Sequence, residues 1–413
     1  MLSAVLVVGC GRTTEVVEPK FGDAAPEAYT PVADSSNAYD YYLRAAQMAA
    51  DIDDSRRFEG PKHYRDDFPP SARRKLMAAL APAVALLQAG AKHDCRIEFR
   101  PAPFMGTRRD YQGWRLLGKV LAWRMEARME SNPAGAVTDM LTATKVALDL
   151  TGGGVTDAAA GWALLDDVRA PFVRKLGKVP SDQLNRLADG IQERLAAMPR
   201  TSATLAYERE VYGTALQGLW VASRDRKLDA VEKALGANGR EALKPVRERQ
   251  ADGIKERMAF FQALERRAQY ELRMVGERAE LPTVKRTPYA VAEGQPKPVD
   301  EPEIPAKTLT MMLFRTGRYY LEIRDRGLAR LRMLGLSAKV QAAFRKSSVV
   351  PKALPSDVPD LTTDPFTGKP FIYLSDSDTF KIYSPGADGR DDGGKTDESF
   401  TTPDLMLEAQ TVR

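Results

Sequence analysis

Stripes of apolar residues three and four positions apart recur through residues 37–281, and this period limits what the chain can fold into. Leu184, Leu187, Ile191, Leu195 and Met198 make one stripe, which 3.6 residues per turn places on a single helix face. Pro180 and Ser181 open that helix and Pro199 closes it. Ala158, Trp162, Leu165, Phe172 and Leu176 make a second stripe, bent where Pro171 withholds a backbone N–H. Ile254, Met258, Phe261, Ala268, Leu272 and Val275 make a third, on a longer and heavily charged helix. Alternating apolar residues are almost absent here. The predicted fold class is therefore mainly α, a helical bundle or helical array, carrying a small C-terminal α+β module. With 413 residues the chain exceeds one average core, and without a clean repeat period it does not read as a solenoid. Gly152-Gly153-Gly154 separates two helices and reads as a turn, since no Lys-Ser/Thr follows to hold a phosphate.

Charge and residue counts narrow the chemistry. A net charge of +5 is small beside 61 basic and 56 acidic side chains, and with no recognition motif present nucleic-acid binding is not expected. Two histidines, His63 and His93, leave little material for general acid–base or zinc chemistry. His93-Asp94-Cys95 brings metal-friendly side chains together, but on a helix adjacent residues point apart and cannot converge on one ion. Tyr39, Tyr41 and Tyr42 open the first helix and read as a stacked core edge with wetted hydroxyls. Arg315, Arg318, Arg324, Arg326, Arg330 and Arg332, with Tyr319 and Tyr320, read as a basic helical face, a solvated surface or a seat for anionic lipid or an acidic partner. Asp53-Asp54 and Asp166-Asp167 are the carboxylate pairs a hydrolase could use. No nucleophile elbow, Ser-x-x-Lys or His-Glu-x-x-His accompanies them.

The N-terminus is a short apolar run ending at a cysteine, MLSAVLVVGCG. As a dinucleotide-binding turn it fails, because Thr14 stands where a third glycine belongs and residues 16–31 hold three prolines and no helical period. Val7-Val8-Gly9-Cys10 resembles a lipobox, the processing site of bacterial lipoproteins, in which small residues precede the cysteine that is lipidated. The resemblance implies residues 1–10 as a signal ending at the lipidation site Cys10, with basic residues supplied from an upstream start. Residues 11–36, rich in proline, alanine and acidic residues, follow as a flexible tether. Diacylglycerol plus an amide-linked chain would hold the protein stably on a membrane. Gly11 is not the aspartate that retains enteric lipoproteins at the inner membrane, so the resemblance implies an outer-membrane, periplasm-facing location. Cys95 is then a small buried hydrophobe.

After the helical body, residues 282–307 contain six prolines and read as an extended linker. A further helix follows, with Leu309, Met312, Leu313, Thr316, Tyr320 and Ile323 on one side, a break at Gly335 and an end near Ser347. Residues 371–375 and 379–384 then read as two short strands joined by a polar turn at 376–378, with Phe371, Tyr373, Phe380 and Ile382 facing the helix. The motifs are DPFTGKPFIY at 364–373 and FKIYSPGADG at 380–389. This region resembles the periplasmic head of the major pseudopilins of type II secretion, which carry D-P-W/F-G-x-P-Y-x-Y, then Y-S-x-G-A-D-G, then a glycine-rich acidic loop. The helix at 328–344 and the proline-bearing loop at 351–359 match the approach to that hairpin. The resemblance implies a module over residues 308–400, before a tail at 401–413, and a bound structural calcium. Asp388 matches the family's ligand, and Asp397, after Gly393-Gly394, stands where a second carboxylate belongs; Asp391 and Asp392 are additions without an assigned role. Oxygen ligands and glycine-turned carbonyls suit calcium. Pseudopilins begin with a long apolar filament helix, whereas this chain has a lipobox-like start and a large helical body.

The expectation is a non-enzymatic envelope lipoprotein whose helical body binds a protein partner and whose tail is stapled by calcium. An accessory role in a secretion or pilus-like system and a periplasmic hydrolase are the alternatives.

Overall fold

The computed structural model describes residues 18–23, 29–54, 68–100, 109–286, 302–313, 316–395, 404–407 and 410–411. The chain is mainly helical, with a small antiparallel sheet near its C-terminus.

The first core is a packed set of helices: α1 (Ala38–Asp54), α2 (Pro70–Ala79), α3 (Ala81–Gly90), α4 (Arg109–Arg128), α5 (Pro133–Leu150), α6 (Val155–Arg174) and α7 (Ser181–Ala196). Its interior gathers Tyr42, Leu43, Trp114, Leu117, Met140, Trp162, Leu165, Phe172, Leu187 and Ile191. The predicted stripe of α7 is buried at Leu184, Leu187 and Ile191, while Leu195 is half-buried and Met198 lies past the helix end. Pro171 sits inside α6, and Leu176 falls beyond it in a turn of 3₁₀ helix. Where α1 crosses α4, a side-chain carbon at Gly113 would run into the carbonyl of Ala46, so glycine sets that approach. Asp139, fully buried, is held by Arg124 at 3.0 Å, Arg128 at 2.9 Å and Gln88 at 2.9 Å.

A second core forms from α8 (Thr201–Arg224), α9 (Leu228–Leu235), α10 (Gly239–Glu248), α11 (Ile254–Ala279) and α12 (Lys307–Leu313), around Trp220, Phe260, Phe261, Leu264 and Leu309. The α11 stripe buries Phe261, Ala268, Leu272 and Val275 as its spacing predicts. Leu309, across the proline-rich segment in sequence, belongs to this second core.

The longest helix, α13 (Thr316–Ser347), returns to the first core and packs on α7 and α6. No break occurs at Gly335. There the missing side chain admits Leu361 of the short helix α14 (Pro359–Thr362), whose methyl would lie 2.7 Å from a β-carbon at 335. Tyr320 is buried, but Ile323 is exposed and does not share its inward face. Just after α11, residues 282–285 dock rather than extend. Val284 N–H donates to the carbonyl of Phe366, and Thr283 and Arg286 both bond the fully buried Asp325, which Arg324 also pairs at 2.9 Å.

The hairpin is β1 (Ile372–Ser375) and β2 (Thr379–Ser384), in the predicted place, with Tyr373 opposite Ile382 and Ser375 opposite Phe380. Phe371, Phe380 and Ile382 enter the first core, and β2 packs on α13. The free edge of β2 is covered by two short pieces that read in sequence as a tail: β3 (Leu405–Met406) pairs with Tyr383 and Ser384, and β4 (Gln410–Thr411) with Thr379 and Phe380.

Candidate functional site

The glycine-rich acidic loop begins from a staple in the motif before it. Asp364 is fully buried, accepts from the Phe366 N–H at 3.0 Å and takes the Thr367 and Ser384 hydroxyls at 2.8 and 2.9 Å. Ser384 in turn accepts from the N–H of Gly386 at 2.9 Å, which aims the chain out of β2. The carboxyl of Asp364 is pushed up by burial, against the pull of those donors. Beyond it Gly386, Gly389, Gly393 and Gly394 all hold φ between 71° and 76°, the left-handed region that folds a loop back on itself.

The loop folds around a residue of the predicted tail. Asp404 is 4% exposed and accepts from the backbone N–H groups of Asp392 at 3.1 Å and Gly394 at 2.7 Å, both through Oδ2. Its other oxygen, Oδ1, is buried without a hydrogen-bond partner among the described residues. Burial raises its carboxyl above the usual range, and the charges of Asp391 and Asp392 add to that rise. Tyr383, at the end of β2, donates to Asp391 at 2.9 Å and has its hydroxyl pushed up to about 12 by burial first and Asp391 second.

Of the predicted ligands, Asp388 is exposed at the loop's outer turn and accepts from the Arg390 N–H at 3.0 Å. Asp397 and the lipidation candidate Cys10 lie outside the described residues. Among the described residues no three His, Cys, Asp or Glu side chains are gathered as a metal cage. The groups the loop offers are oxygens, one of them a buried carboxylate oxygen without a donor among the described residues, and oxygens are the ligands that hard cations take. Asp404 had no sequence signal, because it stands after the family-like motif and outside its spacing.

A cleft of about 520 Å³ opens between α2, α4 and α6, lined by Arg73, Lys119, Trp123, Asp166, Asp167 and Arg174 among others. Pro171 lines it as well, and having no N–H it leaves the Asp167 carbonyl without its helical donor. Burial raises the Asp167 carboxyl, opposed by Lys119 at 2.8 Å. Asp166 pairs with Arg169 at 3.3 Å and Arg330 at 2.8 Å. Each carboxylate of the pair is engaged by a cation, so neither stands free as a general base.

The remaining candidates resolve into structure. His93, Asp94 and Cys95 lie in the segment after α3, not on a helix. The His93 ring stacks on Tyr41 at 5.4 Å, Asp94 accepts from the Ala38 N–H through its carbonyl, and burial lifts the Cys95 thiol well above its ordinary range. Asp53, Asp54 and His63 fall where side chains are not described. Tyr39 and Tyr42 are buried, and Tyr42 donates to Asp149 at 2.8 Å. The arginines of α13 do not make one face. Arg324 reaches Asp325 and Thr201, Arg326 pairs with Glu322, Arg330 reaches Asp166, and Arg332 donates to the Thr363 carbonyl. The side chains of Arg315 and Arg318 lie outside the described residues.

No family model, curated protein or solved structure shows significant similarity to the chain. No helix among the described residues is long and apolar enough to cross a membrane.

Proposed function

We propose that this chain is a non-enzymatic lipoprotein of the bacterial envelope, anchored by acylation of Cys10 and facing the periplasm, the outer membrane being favoured over the inner. Its helical body serves a binding or structural role toward a protein partner, and its C-terminal module, resembling a pseudopilin head, is stapled by calcium. Nucleic acid is not an expected partner. The observation that carries the calcium reading is the buried Oδ1 of Asp404, an acceptor without a donor among the described residues, in an acidic loop. Asp404 and Asp388 would supply carboxylate oxygens, with Asp397 completing the set from the segment between them. Calcium there would neutralise a buried charge and tie the loop to the edge of β2. An accessory role in a secretion or pilus-like system rests on the pseudopilin resemblance alone. The hydrolase reading has a cleft, but its three carboxylates, Glu126, Asp166 and Asp167, are each paired with a cation.

The test is thermal unfolding of a soluble form lacking residues 1–17, with calcium and then with excess chelator. A ligand that binds only the folded state stabilises it by about 2.7 kcal/mol at a hundredfold excess over Kd. The expected result is a calcium-dependent rise in Tm that disappears in both Asp404→Asn and Asp388→Ala. A melt indifferent to calcium and chelator in the unsubstituted protein overturns the calcium reading.

A further inference from the structure

Part of the segment read as a flexible tether is bound to the second core. Residues 18–22 run along α8, antiparallel to it, against one stripe of that helix made by Gly213, Gln217, Trp220 and Arg224. Four kinds of contact hold them. Glu18 pairs with Arg224 at 2.9 Å. The Phe21 N–H donates to the Gln217 side chain at 2.7 Å, and the Phe21 ring lies 6.5 Å from Trp220 and 6.0 Å from Phe261, at the edge of the second core. Gly22 and Gly213 let the two backbones touch, since a β-carbon on Gly213 would sit 2.6 Å from the Phe21 carbonyl. A solvated linker has no need of a matched glycine on the helix it passes.

We propose that residues 18–22 are a strap that shortens the tether and turns the end of α8 toward the membrane. The inference rests on the acylation of Cys10 proposed above. Seven residues separate Cys10 from Glu18. At full extension that stretch spans about 29 Å, against about 97 Å if the chain were free up to Asn37. The strap begins at the C-terminal end of α8, so the part of the body held closest to the anchor is the turn from α8 into α9. Arg226 and Lys227 are exposed on that turn, and their charge suits anionic headgroups. The hairpin module docks by the other end of α8: Val284, just past α11, bonds Phe366, and Leu205, in the first turns of α8, lies against Gly276 near the end of α11, so the exposed Leu374 is carried at the far end of α8 from Lys227.

The experiment uses the full acylated chain in liposomes bearing an acceptor-labelled headgroup. Fluorophores are placed singly at Lys227→Cys or Leu374→Cys; Cys95 is only half-exposed, and its raised thiol makes it the slower nucleophile. The mass of the N-terminal peptide reports acylation. The expected result is stronger energy transfer from position 227 than from 374, and loss of that difference in Gly213→Ala. That substitution evicts the strap yet favours helix in α8 itself. Equal transfer from both positions in protein shown to be acylated overturns the strap's orienting role alone. An unacylated Cys10 overturns the anchor and the membrane orientation with it. Amide hydrogen exchange over residues 18–22, slow in the unsubstituted chain and fast in Gly213→Ala, reads the docking of the strap without reference to the membrane.

Discussion

Glu208 lies in the first half of α8, in the run YEREVYG, and a glutamate is ordinarily exposed. It is instead 4% exposed, accepts from the Val155 N–H at 2.6 Å and so joins α8 to the first turn of α6. Burial raises its carboxyl from 4.5 to about 7, with Asp157 adding to the rise and the Val155 and Tyr212 bonds opposing it. The folded state therefore holds a proton that the unfolded state releases above about pH 4.5. Stability from this group is complete below that pH and is lost as pH rises through about 7. A full shift of this size is worth at most about 3 kcal/mol. Glu208→Gln, which carries no charge to bury, is expected to flatten the decline in Tm between about pH 5 and pH 8, as read by calorimetry across a buffer series. At this scale the sequence is legible where bonded residues share a motif. Asp364 and Ser384, 20 residues apart, both belong to the family-like stretch that bonds to itself. Glu208 and Asp404 are not legible, because each bonds partners, 53 and 10 to 12 residues away, with which it shares no motif.

Helices were readable as elements because burying one face imposes a period on every turn. Their crossings were not. Gly113 and Gly335 each lie inside a helix, where glycine alone argues for a break. In the structure they mark close approach, at Ala46 of α1 and Leu361 of α14, and the helices run on through them. Gly113→Ala would gain about 1 kcal/mol of helix propensity and lose about 1–3 kcal/mol to overpacking against backbone that cannot rotate away. Its expected net effect is a lower urea midpoint, with unchanged helical content by circular dichroism in the folded baseline. A midpoint above that of the unsubstituted protein would mean that α1 shifts freely on α4. The strands show the same limit from the other side. β1 and β2 alternate long enough to be seen, whereas β3 and β4 are two residues each and have no period to detect.

Over the whole molecule, chain order and spatial order part company. The helix α13 follows the second core in sequence but packs in the first, and Phe366, Phe371, Phe380 and Leu407 share that core with Trp114 and Leu187. The C-terminal module is thus part of the first core's interior. Removing residues 359–413 should lower the unfolding midpoint of the entire first core, followed through Trp114 and Trp123, instead of leaving it intact as loss of an independent domain would. The sequence by itself determined the helical class, the places of the longer helices and the hairpin with its acidic loop. Each of these follows from residues within a few turns or a few strand positions of one another. Only the tertiary structure decided which helices share a core, that residues 18–22 and 282–285 dock, and that Asp404 closes the loop. Those outcomes depend on surfaces brought together across long stretches of chain, and a pattern of local spacing carries no record of which surface will be its neighbour.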